Sequence, residues 1–166
     1  MKPAGVVILL SAVASAIKVS PDEERDWQSC ADQLLNTFDE GDDGAKAACN
    51  VWECLHTQAS RHNRLGILAT ASNLLTPICT IAKLNPFPSR SAPKTTKAED
   101  KAFQGCFNTM MDSFDAGHDG ARPACDMWNC LHVQANTFNR GGILAPLSHV
   151  LDPVCIVKNL GPLGEL

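Results

Sequence analysis

Apolar residues return along this chain with a helical rhythm. Trp27, Ala31, Leu34, Leu35 and Phe38 fall at i, i+4, i+7, i+8 and i+11, with polar residues between them. Phe103, Phe107, Met110, Met111 and Phe114 repeat the stripe further on. That spacing gathers the apolar side chains on one face of a helix. A glycine-rich turn follows each stripe: Gly41-Asp-Asp-Gly44 in the first case, Gly117-His-Asp-Gly120 in the second. Asp43 and Asp119 are then expected to cap the next helix. This second helix should bury Ala48, Val51, Trp52 and Leu55, matched by Met127, Trp128 and Leu131. Asn63 and Asn139 stand where a third helix would be capped, carrying Leu68, Ala71 and Leu75, or Leu144, Leu147 and Leu151. Thr76-Pro77 and Asp152-Pro153 read as an N-cap with proline at the first helical position. From there a short fourth helix, or a kinked extension of the third, should run. There is no tyrosine and no sustained apolar–polar alternation, so strands are not expected.

The pattern is one unit written twice. Residues 27–84 align with 103–160 at a constant offset of 76 without a gap, and 27 of those 58 positions are identical. All eight cysteines obey the offset, as do Phe38/Phe114, Asp39/Asp115, Trp52/Trp128, His56/His132, Asn63/Asn139 and Arg64/Arg140. Internal duplication explains this, and chance does not. The expected fold is all-α: two tandem disulfide-stapled units of three to four short helices each. Unit one spans 17–84 and unit two 103–166. Between them, 85–102 reads as a linker, opening with Asn85-Pro-Phe-Pro and carrying three prolines by Pro93. Arg90, Lys94 and Lys97 make it basic, so it reads as a solvated tether or a processing segment.

Composition places the chain outside the cell. Residues 1–16 have the build of a secretory signal: Lys2, an apolar run from Gly5 to Ala14, and an Ala14-Ser15-Ala16 cleavage site leaving Ile17 first. The sequence holds no Asn-x-Ser/Thr acceptor. The expectation is a secreted, extracellular protein with no transmembrane segment. In an oxidising compartment an even cysteine count reads first as disulfides. A hairpin turning near residue 42 brings Cys30 opposite Cys54, which leaves Cys49 for Cys79. By the same logic Cys106 pairs with Cys130, and Cys125 with Cys155. Four cysteines per unit still allow three connectivities. A unit this small builds a core worth only a few kcal/mol, so such bridges matter.

Charge and motifs then narrow the chemistry. The net charge of −4 argues against a nucleic-acid partner. The cysteine spacing lacks the C-x-x-C of a zinc site. The acidic turn beginning at Asp39 echoes a calcium loop, yet Gly41 stands at the third position, where an oxygen donor is required, and Asn50 or Asp126 at the twelfth, where a bidentate glutamate is expected. No metal or cofactor is therefore expected. No nucleophile elbow, phosphate loop or His-Glu-x-x-His helix occurs, so no catalytic residue is assigned and the chain reads as a non-enzyme. The shared polar residues remain as candidates for binding. Asn63-Arg64 and Asn139-Arg140 could form a recognition tip. His56 and His132 could approach one another across a pseudo-two-fold axis, and a hydrolase using both is the weakest reading. The leading expectation is a cysteine-rich protein that binds an extracellular protein partner, as a receptor ligand, a venom or defence effector, or a matrix component. The alternative is a carrier whose apolar stripes, with Leu34, Phe107, Met110 and Met111, enclose a small apolar ligand.

Overall fold

The computed structural model describes residues 18–42, 44–64, 76, 77, 79, 80, 93–118, 121–143, 148, 151–153, 155 and 156. These residues are helical or lie in turns, with no strand among them. Four helices form two hairpins: α1 (Pro21–Asp39) with α2 (Ala45–Arg61), and α3 (Lys97–Asp115) with α4 (Ala121–Thr137). A short 3-10 turn, Gly141–Ile143, follows α4 and touches both α2 and α4. The expected leader over 1–16, Asp43, Asp119, and the stretches carrying Leu68, Ala71, Leu75, Leu144 and Leu147 lie outside the described residues.

The helix starts follow from short polar residues. Ser20 accepts the Glu23 amide, and Pro21 opens α1 where its missing N–H costs nothing. Thr96 and Glu99 form a reciprocal capping box at the start of α3. The expected tether over 85–102 therefore ends earlier: 97–102 is helix, because Thr96 supplies the cap. For α2 the N-cap is Gly44, not an aspartate side chain, and the Asp42 carboxylate accepts the Gly44 amide instead.

All four helices stop the same way. Gly41, Asn63, Gly117 and Asn139 have φ of 90°, 56°, 87° and 57°. Beyond each, an amide reaches back five residues: Asp42 to Thr37, Arg64 to Ala59, His118 to Ser113 and Arg140 to Ala135. These are Schellman terminations, which need a left-handed residue after the last turn. Asn63 and Asn139 therefore end α2 and α4, and the expectation that they cap a third helix is corrected. Asparagine suits both places, since its short amide tolerates left-handed backbone. The reading of Asp152 as an N-cap changes too: Leu151, Asp152 and Pro153 are all helical, so Asp152 lies within a helix, which suits the kinked-extension alternative. Its carboxylate accepts the Trp128 indole N–H at 2.7 Å.

Four bridges tie the helices. Cys30–Cys54 and Cys106–Cys130 clamp the two hairpins, while Cys49–Cys79 and Cys125–Cys155 fasten the segment that follows each. These are the partners the hairpin register points to, with Cα–Cα separations of 5.3 to 5.5 Å. No bridge crosses from one hairpin to the other.

The apolar stripes meet in a single core rather than two. Trp27, Leu34, Phe38, Phe103, Phe107, Met110 and Phe114 are buried together with Ala48, Val51, Trp52, Leu55, Met127, Trp128 and Leu131. Helix α1 is apolar over enough of its girth to face both α2 and α3, and α1 packs on α3 across the seam. Each hairpin thus completes the other's core. For small helical units this adds to the apolar area removed from water, which is the dominant favourable contribution to folding.

Candidate functional site

The polar residues singled out in the sequence are concentrated at this seam and along the outer helices. Arg140 lies inside the protein, only 2% exposed. Its Nε meets Glu99 Oε1 at 2.6 Å, one Nη donates to Glu99 Oε2 and to the Pro93 carbonyl, and the guanidinium lies 4.9 Å over the Phe38 ring of the other hairpin. Arg64 does the corresponding thing 76 residues earlier. It pairs with Glu23 at 2.9 Å and lies 4.6 Å over Phe114. The expected recognition tip at Arg64 and Arg140 is thereby corrected. Both arginines are spent on buried partners, since a guanidinium withdrawn from water needs a carboxylate and further acceptors for its N–H groups to be tolerated. Asn63 and Asn139 remain exposed beside them but serve the backbone.

Contacts across the seam come in matched pairs. The Val19 amide donates to Asp115 Oδ1 at 2.7 Å, and the Thr95 amide to Asp39 Oδ1 at 2.7 Å. Trp27 packs on Phe114, and Phe103 on Phe38. Gln28 donates to Asn108, and Gln104 to Asp32 at 3.2 Å. In each pair the two contacts are exchanged by the same 76-residue offset. The strands of chain entering α1 and α3 are therefore pinned to the far end of the opposite helix. The described residues before α3 are docked here through Pro93 and Thr95, while Pro93, Lys94 and Thr96 stay exposed.

Beside the seam lies a polar cleft of about 310 Å³, lined by Asp32, Leu35, Asn36, Asp39, Thr95, Asp100 and Gln104. The Thr95 amide, and after it the Thr95 hydroxyl, hold the Asp39 carboxyl below the ordinary carboxylate range, with small further help from Lys94 and Arg140. Asp39 thus faces Thr95, while the residues at the twelfth position of the supposed calcium loop brace the hairpins. Asn50 donates to Thr37, and Asp126 accepts from Ser113. Among the described residues no three His, Cys, Asp or Glu side chains converge as a metal site.

The histidines sit elsewhere. His56 is exposed on α2 with its ring 6.4 Å from Trp52, and His132 is half-buried on α4, 6.1 Å from Trp128. His132 Nδ1 lies 3.2 Å from the Asn136 amide. Each lies against its own helix's tryptophan, His56 tilted and His132 edge-on. Nearby on α4, Val133 is 59% exposed, the most exposed of the large apolar side chains described.

Sequence reading missed Glu23 and Glu99. Their signal was available: the two glutamates obey the same 76-residue offset as Arg64 and Arg140, just before the stretch where the alignment begins. It also missed Asp26, which holds Arg61 at 2.9 Å and His62 at 2.8 Å. Asp26 has no counterpart at the offset, where Ala102 stands.

No known protein family, curated protein or solved structure matches this chain. No helix among the described residues is long and apolar enough to cross a membrane.

Proposed function

We propose that this is a secreted, non-enzymatic binding protein, made of two duplicated helical units and presenting one recognition face twice to an extracellular protein partner. The leader over 1–16 exports the chain, and the oxidising milieu closes the four bridges. The observation that carries the reading is the fate of the repeated polar residues. Arg64 and Arg140 are consumed inside the fold, whereas His56 and His132 stand on tryptophans along the outer helices. Those tryptophans belong to the core, so the imidazoles themselves, exposed at 56 and half-buried at 132, are the repeated polar groups left to meet a partner. Two such patches on one stapled body suit bivalent engagement, in which the second contact forms at high effective concentration.

The carrier reading is less well supported. Leu34, Phe107, Met110 and Met111, the side chains that would line its pocket, are packed in the common core.

The test uses labelled whole protein, secreted from its own leader, titrated onto cells and extracellular matrix of the tissue that makes it. Saturable binding is expected, with His56→Asp or His132→Asp alone weakening it roughly tenfold or more and the double variant abolishing it. Binding that is not saturable, or that ignores both substitutions, overturns the proposal.

A further inference from the structure

The matched contacts across the seam have the pattern of an isologous interface: if residue i of one hairpin meets j of the other, the equivalent of j meets the equivalent of i. We propose that this seam is self-complementary, so that a half from a second copy of this chain can take the place of the chain's own other half. The inference rests on the two-unit reading above.

The residues can be tried one pair at a time. Two first halves would set Trp27 on Phe38, and the chain already sets Trp27 on Phe114. They would set Arg64 over Phe38, where Arg140 now lies. They would direct the Val19 amide to Asp39, which now takes the Thr95 amide. They would place Gln28 against Asp32, which now takes Gln104. Two second halves would likewise set Phe103 on Phe114, Arg140 over Phe114 and Gln104 against Asn108, the last now taken by Gln28. None of these pairings opposes like charges, and the largest change of size among them is tryptophan for phenylalanine; Ala31 and Phe107, buried at equivalent places on α1 and α3, are the one larger difference in the stripes. A face discriminates between partners only by gaining contacts with one or by clashing with the other. The pairings above do neither.

Two further observations fit exchange. Every bridge closes within its own half, so only the peptide chain joins the halves covalently. The chain's own halves pair because the tether keeps them at high effective concentration, not because the face prefers them. Release from the tether, or a high concentration of the protein, would let copies trade halves.

The experiment starts from the whole, folded protein with a specific protease site inserted between Pro88 and Ser89. It is cut after folding, in unlabelled and nitrogen-15-labelled forms. Denaturant without reductant should separate the cut protein into two fragments. If they stay linked, a bridge crosses the seam and the two-unit reading itself fails. The two forms are then refolded together, bridges intact, and weighed by native mass spectrometry, with each form refolded alone as the control for recovery of native pairs. Pairs of two first halves and of two second halves are expected within about tenfold of the native pairs. Exclusive recovery of first-with-second pairs, or of unpaired fragments, overturns the proposal. Gln28→Glu sharpens it. That variant opposes Asn108 harmlessly in the native pair but meets Asp32 twice in a pair of first halves. First–first pairs should fall at least tenfold while native pairs persist. An unchanged distribution would mean that such pairs do not use this face.

Discussion

The two arginine locks occupy equivalent places, yet they keep different company. In the first, Glu23 serves both Arg64 and the buried Trp27 indole, whose Nε1 donates at 3.3 Å. Next to it, Asp26 gathers Arg61 and His62, and the His62 ring lies 6.3 Å from Trp27. In the second, positions 102, 103, 137 and 138 are Ala, Phe, Thr and Phe. There Phe138 packs on Phe103, and Glu99 Oε2 accepts both Arg140 and the Thr96 amide while Arg140 also reaches the Pro93 carbonyl. One lock is tied to its hairpin by a polar network, the other by aromatic packing and by the incoming chain. The shared part, arginine to glutamate and over the opposite phenylalanine, is what the seam requires. The rest differs between the two.

The sharpest way to break the comparison is to remove the arginines. Arg140→Ala leaves the Glu99 carboxylate buried, strips the cation from Phe38 and frees the Pro93 carbonyl. Breaking a buried pair from one side costs about 3–5 kcal/mol, and the upper part of that range is expected. Arg64→Ala should fall in its lower part, because the Arg64 side chain is 10% exposed against 2% for Arg140. Urea unfolding of both variants checks the order. Equal losses would mean that the seam, not the local environment, sets the energy. Replacing Cys49 and Cys79 together with alanine should cost comparably, about 3.5 kcal/mol from loop entropy.

Trp27→Phe tests the difference between the locks directly, by giving the first the ring of the second. It removes the indole donor from Glu23 and part of a fully buried ring, for an expected loss of about 2 kcal/mol. The reverse change, Phe103→Trp, overpacks a fully buried site and should destabilise by about 1–3 kcal/mol. A neutral Trp27→Phe would show that the Glu23 contact adds nothing beyond Arg64.

Why these locks escaped the sequence is a matter of what periodicity carries. The stripes at Trp27–Phe38 and Phe103–Phe114 announce apolar faces, and the turn near residue 42 announces the hairpin and its bridge. A stripe does not say what will cover it. That α1 would be covered by α3, joining two cores into one, depended on contacts between residues 65 to 87 positions apart. Arg64 looked like a surface residue because a buried cation is legible only with its anion, and Glu23 stands 41 positions away. Asn63 was ambiguous for a different reason: asparagine is favoured both before a helix and just after one, and the sequence did not show which helix had ended.

That ambiguity has its own test, of smaller size. In an exposed left-handed position, Asn63→Gly should change stability by only a few tenths of a kcal/mol, because glycine pays no steric cost there. Asn63→Val should lose about 1–2 kcal/mol. Were Asn63 a helix N-cap, both changes would remove a side-chain acceptor, and the two variants would converge. Parallel substitutions at Asn139 should give the same ordering, as its φ is nearly identical.

The smallest expected effect separates the two ends of the seam. Asp39 accepts both the amide and the hydroxyl of Thr95, whereas Val19, at the matching place, brings Asp115 an amide alone. Because the Thr95 bonds hold the Asp39 carboxyl low in the folded state, the ionised form is favoured by folding. Its contribution is complete above the unfolded-chain value, near 3.9, and is lost as pH falls through the lower folded value. Thr95→Val converts this end of the seam to the other kind. It removes the hydroxyl donor and keeps the amide, so the Asp39 carboxyl should titrate closer to its ordinary value, though still below it. Carboxyl-carbon NMR of Asp39 between pH 2 and 6 reads this as an upward shift of the midpoint, and acid unfolding should begin at slightly higher pH. A midpoint that does not move would assign the whole effect to the amide, making the two ends electrostatically alike despite their different side chains.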